Sequence, residues 1–153
     1  MKWYKGVNQE YRLKISPSFV RTTMKSLKDL HGSLIDYLHA GKFVEGIKDF
    51  YAENAIIQEN SQPVTTGRDE MADKERRFQK KVTAFHGIEV HDTVIDDQGN
   101  GNGVVFYETT MKWKQSDRPD IVEVDQTVVE RWKAGKIESI RFYGDYNPGE
   151  LPD

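Results

Sequence analysis

The sequence lacks cysteine altogether and has no long apolar run. Without cysteine the chain has no disulfide, no thiolate metal site and no thiol nucleophile. Its apolar stretches are all shorter than the roughly 18 residues that a membrane-spanning helix needs, and residues 1–6 do not have the apolar core of a signal peptide. We therefore expect a cytoplasmic protein without a membrane partner, whose chemistry depends on oxygen, nitrogen and aromatic side chains.

An excess of basic charge is also missing. The 22 lysines and arginines are outnumbered by 25 aspartates and glutamates, which gives a net charge of -3. A dedicated nucleic-acid-binding surface needs the opposite balance, so no nucleic-acid partner is expected. A chain of 153 residues with 37% hydrophobic residues is long enough for one hydrophobic core and one domain.

Helical periodicity dominates the first half of the chain. Apolar residues recur every three or four positions after Ser16 and Pro17, which resemble an N-cap and a first helical residue, and the pattern stops before Gly41. A second, shorter helix is predicted at 43–51, and a third begins with a capping pattern at 66–69 and runs to Val82. Between them a short strand at 55–59 ends in a turn.

The second half alternates with period two instead. Strands are predicted at about 85–95, 103–114, 121–132 and 137–146, with short turn-forming segments between them. Helices first and a curved, antiparallel meander second indicate an α+β fold. Residues 1–15 have no clear period and are predicted to be an N-terminal arm or an additional strand, whereas 16–153 form a single domain.

Polar residues interrupt the faces of the strands that should pack on the helices. Burying such groups without partners costs roughly 1–3 kcal/mol each. They therefore either satisfy one another or surround a semi-polar pocket, and several on one face favour the pocket. The interrupting residues are His86, Tyr107, Thr109 and Gln126. Neighbours on the same faces that we also expect to contact a ligand are Met111, Val128, Trp132 and Phe142.

Glu75 is a similar interruption, because it lies in the apolar stripe of the third helix. A buried, unpaired glutamate would have a raised pKa and would be a ligand contact. The alternative is an ion pair with a neighbouring base, such as Lys74 or Arg76, on a stripe that is only half-buried.

Two stretches resemble a known family. In the first stretch, a helix ends at residues 51–55, a short strand follows, and a new helix starts at Gly67-Arg68-Asp69. This order is similar to that of SnoaL-like members of the nuclear transport factor 2-like superfamily. In the second stretch, residues 131–143 resemble the last hairpin of that family. This superfamily includes ketosteroid isomerases and polyketide cyclases. Over about residues 24–146, the resemblance implies a cone-shaped fold. In it, a strongly curved, mainly antiparallel sheet encloses the N-terminal helices and a pocket, and two copies form a homodimer through the sheet.

The resemblance also implies a catalytic base. Ketosteroid isomerases place a carboxylate near the end of the first short strand, where this chain has Glu59, followed by Asn60 as a further ligand contact. Their oxyanion donors fall near Leu34 and Val128, neither of which can donate a hydrogen bond. Because oxyanion stabilisation is the largest contribution in such catalysis, a genuine steroid isomerase is not expected unless Tyr107 or another donor substitutes. The alternative role for Glu59 is to cap backbone amides in the next turn.

Glu108 and the histidines leave further alternatives open. Simple alternation puts Glu108 on the outer face of its strand, but one β-bulge would turn it into the pocket beside Glu59. His86 is either a pocket proton donor or a rim residue. No histidine pair has the spacing of a metal site, and no phosphate loop or dinucleotide fingerprint is present, so neither a metal nor a cofactor is expected.

These features favour a protein that holds a small apolar or semi-polar organic ligand between helices and sheet. As an enzyme it would perform cofactor-free acid/base chemistry of the isomerase, cyclase or hydrolase type, with Glu59 as the base. The alternative is a non-catalytic ligand-binding or dimerisation module.

Overall fold

A computed structural model describes residues 24–145. The predicted arm at 1–15 and the predicted helix start at Ser16 lie outside these residues. Three helices precede most of the sheet, which confirms the predicted α+β class. The elements are α1 (Leu27–His39), α2 (Phe43–Phe50), β1 (Tyr51–Glu59), β2 (Thr65–Thr66), α3 (Arg68–Gln79), β3 (Val82–Gly99), β4 (Asn102–Gln115), β5 (Val122–Lys133) and β6 (Lys136–Gly144).

Helix α1 begins later than its apolar periodicity predicted. Ser26 has an extended backbone, and its hydroxyl accepts a hydrogen bond from the Asp29 amide at 3.1 Å. The Leu27 amide donates to the Asp97 carboxylate at 3.0 Å. Residues 24–26 are therefore not helical, because Ser26 is a satisfied N-cap, and the prediction that the helix continues through them was wrong.

The sheet is mixed, with strand order β2-β1-β6-β5-β4-β3. Strands β3 to β6 form the predicted antiparallel meander, whereas β1 pairs with β6 in parallel. This parallel pairing places Glu59 directly opposite Phe142. The end of β1 thereby lies beside residues of β6 that are more than 80 positions later in the chain.

Bulges in β3 change which of its side chains face inward. The pairing with β4 shifts between Phe85 and Gly87 and again between Val90 and Thr93. His86 and Val94, which simple alternation placed on the inner face, are exposed, and Ile95 packs on the core instead. Each extra residue reverses the phase of the strand and increases its bend, so this part of the prediction was wrong.

The hydrophobic core consists of two clusters. The larger joins α1 and α2 to β1, β4, β5 and β6 and contains Leu27, Leu34 and Ile137. The smaller is centred on Trp113, Val122 and Val124, with Phe78 and Phe85 packed against it. Members of both clusters line the cavity described next.

Candidate functional site

A cavity of about 510 Å³ lies between the helices and the inner face of the sheet. Its volume is within the roughly 300–1,000 Å³ that is usual for small-molecule sites. Members of both core clusters, such as Leu34, Phe78 and Trp113, form apolar walls. Polar side chains interrupt these walls; they are Tyr51, Glu59, Gln62, Thr65, Lys74, Glu75, Tyr107, Thr109 and Gln126.

Eight of the residues that the sequence predicted for a site line this cavity. They come from β1, α3, β4, β5 and β6, and they are brought together by the sheet order rather than by proximity in sequence. Whether any of them contacts a ligand stays a prediction. They are Glu59, Glu75, Tyr107, Thr109, Met111, Gln126, Val128 and Phe142.

Glu108 and His86 lie outside the cavity, for opposite reasons. The pairing of β4 with β5 is unbroken from Gly103 to Trp113, so no bulge reverses β4 and Glu108 points to the outer face. In β3 a bulge is present, and it leaves His86 exposed. The inclusion of these two residues among the ligand contacts is corrected: Glu108 has the outward orientation that simple alternation gave, and His86 does not line the cavity.

Asn60 and Trp132 are also turned away from the cavity by their hydrogen bonds. The Asn60 side chain donates to the Gly144 carbonyl at 2.8 Å and accepts from the Gly144 amide at 3.1 Å. The buried Trp132 indole donates to the Glu130 carboxylate at 2.9 Å. Asn60 therefore ties the end of β1 to β6, and Trp132 belongs to the core beneath the cavity.

Glu59 presents its carboxylate to the cavity from the end of β1. In the turn that follows, the Gln62 amide donates to the main-chain carbonyl of Glu59 at 2.8 Å. Within residues 24–145 this hydrogen bond, and not one to the carboxylate, holds the turn, so the predicted capping alternative is not observed. Burial raises the pKa of the Glu59 carboxyl, and the nearby Lys74 ammonium opposes that rise.

Glu75 also lines the cavity, and three basic residues near it in sequence contact other partners. Lys74 donates to the Thr65 hydroxyl at 2.8 Å, Arg76 pairs with Asp73, and Arg77 lies 3.7 Å from Glu70. None of these three contacts involves Glu75. The ion pair that was the alternative interpretation of Glu75 is therefore not observed for Lys74, Arg76 or Arg77. Burial raises the pKa of Glu75 to about 7, a hydrogen bond with Gln79 lowers it, and the Glu59 charge raises it further.

The two carboxylates can hold different protonation states at neutral pH. Ionisation of one opposes ionisation of the other, as in any close pair of like charges. Lys74 favours the ionised form of Glu59, whereas burial raises the pKa of Glu75 to about 7. The wall therefore offers one carboxylate that can accept a proton and one that can donate it.

Sequence reasoning missed Lys74 and Tyr51 as cavity residues. Lys74 belongs to a basic run on α3 that is typical of a solvated helix face, and Tyr51 continues the apolar stripe of α2. In the structure both line the cavity. Burial, followed by the charges of Glu130, Glu75 and Glu59, raises the pKa of Tyr51, so its phenol stays protonated at neutral pH.

Neither a metal cluster nor a membrane helix is present in the part of the chain that the structure describes. Across residues 24–145 no three histidine, aspartate or glutamate side chains are placed to hold a metal ion. None of the three helices there is long and apolar enough to cross a membrane.

Comparison with known proteins identifies the fold. No family model matches the sequence, and no curated protein matches it. A SnoaL-like polyketide cyclase candidate from Mesorhizobium loti matches in structure with a TM-score of 0.63 and 17% identity, over 78% of this chain and 99% of that one. The chain has the SnoaL-like fold. The cone fold that the sequence resemblance implied is thereby confirmed.

Two further structures share the SnoaL-like fold with this chain. A ketosteroid isomerase-like protein from Erwinia carotovora atroseptica has a TM-score of 0.63 at 8% identity, over 79% of this chain and 95% of that one. An LEH-like epoxide hydrolase from M. tuberculosis has a TM-score of 0.59 at 19% identity, over 78% of this chain and 82% of that one. Identities this low establish the fold and leave the activity to the site itself.

Proposed function

We propose that the protein binds a small, mostly apolar organic molecule in the cavity and acts on it by cofactor-free acid/base chemistry, with Glu59 as the base. The observation that carries this proposal is that Glu59 and Glu75 both line a largely apolar cavity, where the charge of one acts on the other. The printed names of the structural neighbours, which are of cyclase, isomerase-like and epoxide hydrolase types, support a reaction of the isomerase, cyclase or hydrolase type.

The proposed reaction uses the two carboxylates in opposite directions. Glu59, in its ionised form beside Lys74, takes a proton from a carbon next to a ligand carbonyl, or from a water molecule. Glu75, whose pKa of about 7 leaves it partly protonated at neutral pH, donates a proton to the ligand oxygen that gains negative charge. Glu59 then returns its proton to a second carbon of the ligand while Glu75 takes back the proton on the oxygen, so one isomerisation leaves both carboxyls in their starting states.

Stabilisation of that negative charge needs a donor other than the two positions that the resemblance indicated. Leu34 and Val128 both line the cavity, but their side chains are apolar. Tyr107 and Tyr51 also line it, and burial raises the pKa of both phenols. A phenol that stays protonated can donate a hydrogen bond to an oxyanion. Because the Tyr107 phenol already bonds the Glu130 carboxylate, we assign this role to Tyr51 rather than to Tyr107.

Exchange of α-protons tests the proposal without knowledge of the natural substrate. The probe is 2-tetralone, an apolar ketone whose exchange in D₂O is followed by proton NMR. We expect the parent to accelerate the exchange, and we expect the exchange rate with Glu59→Gln to be at least about a hundredfold lower than with the parent. Glu53→Gln, at an exposed position on the same strand, is the matched control and should keep the parent rate.

The absence of hydrogen-bond donors at Leu34 and Val128 favours one alternative, a binding module without catalysis. That module would bind 2-tetralone with equal affinity in the parent and in Glu59→Gln, and neither protein would accelerate exchange. This result would contradict the assignment of Glu59 as a base while leaving ligand binding in place.

A further inference from the structure

Two buried polar side chains lie directly opposite each other on the inner faces of β4 and β5. Thr109 and Gln126 are partners across these strands, and the two residues are only 2% and 8% exposed. Both of them line the cavity. Directly opposite residues of an antiparallel pair have Cβ atoms about 5 Å apart, so the hydroxyl and the amide face the same part of the cavity.

Neither of these side chains hydrogen-bonds another group within residues 24–145. Other buried polar groups on the inner face do have partners: the Tyr107 phenol bonds the Glu130 carboxylate, and the Trp132 indole donates to it at 2.9 Å. Buried polar groups are nearly always partnered in folded proteins. A buried hydroxyl and a buried amide that line a cavity without a protein partner are therefore placed to bond a molecule inside it.

The neighbours on the same face explain why the two groups have no protein partner. On β6 the residue opposite Gln126 is Gly144, which has no side chain. On β3 the residue opposite Thr109 is Val90, which packs against the core. The inward residues on either side of Gln126 along β5 are valines. Since none of these neighbours is charged, this part of the cavity suits a neutral polar group rather than an ion.

The sheet register gives the separation of this pair from Glu59. Glu59 is opposite Phe142, and Phe142 is opposite Val128, which is two residues from Gln126 on β5. Two interstrand spacings and two residues along a strand place the backbones of Glu59 and Gln126 about 12 Å apart. Because both side chains reach into the cavity, the gap between their polar ends is shorter, and a molecule of two fused rings can span it.

We propose that Thr109 and Gln126 form a subsite for a hydroxyl group of the ligand. The hydroxyl accepts a hydrogen bond from one of the two side chains and donates one to the other, since the amide and the threonine hydroxyl each offer a donor and an acceptor. This inference rests on the proposed function and names its substrate class, a two-ring ketone with a hydroxyl on the ring that is remote from the carbonyl.

Binding of three tetralones tests the subsite. Isothermal titration calorimetry compares 2-tetralone with 6-hydroxy-2-tetralone and 7-hydroxy-2-tetralone. We expect the parent to bind the better of the two hydroxy compounds at least about tenfold more tightly than 2-tetralone. Gln126→Leu and Thr109→Val should each reduce this preference severalfold without weakening the binding of 2-tetralone. Thr127→Val, at an exposed position beside Gln126, is the matched control and should keep the preference.

The stability of the same variants shows whether the two polar side chains are structural. Because neither has a partner in the folded chain, Gln126→Leu and Thr109→Val should be at least as stable as the parent in urea unfolding. A clear loss of stability in both variants would mean that these side chains hold the sheet together, and it would overturn the subsite.

Failure of the subsite differs from failure of the proposed function. If the parent binds all three tetralones equally, or if both variants keep the preference, the subsite is overturned while ligand binding stands. If the preference is present but the parent does not accelerate exchange, the subsite stands and catalysis by Glu59 is overturned. Glu59→Gln should itself keep the preference. If none of the three compounds binds, both proposals are overturned.

Discussion

The two glutamates on the cavity wall show how burial separates side chains of the same type. Glu59 has a cation beside it, whereas Glu75 has a neutral amide and a second carboxylate. The anomaly of Glu75 was visible in the sequence as a charge within an apolar stripe. Its proximity to Glu59 was not visible, because it depends on how α3 packs against β1.

The stability of the protein should fall as Glu75 ionises. Its carboxyl is protonated in the unfolded chain only below about its ordinary pKa of 4.5, but in the folded chain up to about 7. The stabilisation that comes from the protonated Glu75 carboxyl is therefore fully present below pH 4.5 and is lost as the pH rises through about 7. The shift corresponds to about 3 kcal/mol. Glu75→Gln should match the parent near about pH 4.5 and be more stable near about pH 8, as measured by urea unfolding.

Glu70→Gln is the matched control for this prediction. Glu70 lies on the same helix, is exposed and pairs only weakly with Arg77. It should give the same small change at both pH values. If Glu75→Gln behaves in the same way, Glu75 is not the desolvated group that its surroundings indicate.

Replacing Glu59 should also stabilise the folded chain at high pH. Burial raises the pKa of its carboxyl, so the parent should become less stable than Glu59→Gln and Glu59→Leu as the pH rises from about 5 to about 8. Removal of its charge should also lower the pKa of Glu75, which carbon-13 NMR of the carboxyl can follow. A loss of about 1 kcal/mol or more in both variants at neutral pH would instead make Glu59 a structural hydrogen-bond partner.

At the scale of elements, the position of the site depends on how strands end and where they bulge. Asn60 has a left-handed backbone with φ of 46°, and its amide donates to the Phe142 carbonyl at 2.7 Å. Together with the two side-chain bonds to Gly144, this holds the end of β1 against β6. Glu59 is therefore presented by a fixed strand end and not by a free loop.

Substitution of Asn60 should loosen that attachment. Asn60→Ala removes two hydrogen bonds and places alanine in a left-handed conformation, so we expect a loss of about 2–4 kcal/mol in the free energy of unfolding. Asn60→Gly removes only the hydrogen bonds and should lose about half as much. Chemical denaturation measures both.

Asn100 offers the control, since it has a similar φ of 53° in an exposed turn. Asn100→Ala should show only the cost of the left-handed backbone, about 1–2 kcal/mol. Equal losses in Asn60→Ala and Asn100→Ala would mean that the bonds to Gly144 add nothing to stability.

At the scale of the whole molecule, the outer face of the sheet carries an apolar patch. Val94 and Phe106 lie directly opposite each other on β3 and β4 and are 65% and 44% exposed. Val129 continues the row on β5. A contiguous apolar patch of this kind is typical of an interaction surface, and we propose that it forms the homodimer that the family resemblance implied.

Sedimentation at several concentrations tests the homodimer. The parent should sediment as a dimer and Phe106→Glu as a monomer, because a buried unpaired charge opposes association. Ile121→Glu, which changes another exposed apolar residue away from this row, should remain dimeric. A parent that is monomeric throughout would contradict this proposal without affecting the cavity.

The sequence by itself determined the fold class and the inner faces of β4 and β5. Along these strands the pairing is unbroken, so a local period of two predicted the positions of Tyr107, Thr109 and Gln126 correctly, and it also predicted Glu108 on the outside as the simpler alternative. The family resemblance then indicated the cone fold and drew attention to Glu59.

Only the tertiary structure decided which residues meet. The bulges that expose His86 depend on the curvature of the whole sheet, and the parallel pairing of β1 with β6 joins segments that are far apart in the chain. The proximity of Glu59 to Glu75 follows from that packing. Local periodicity reports the face on which a side chain lies, but long-range contacts determine its neighbours, and those neighbours set its protonation and its chemistry.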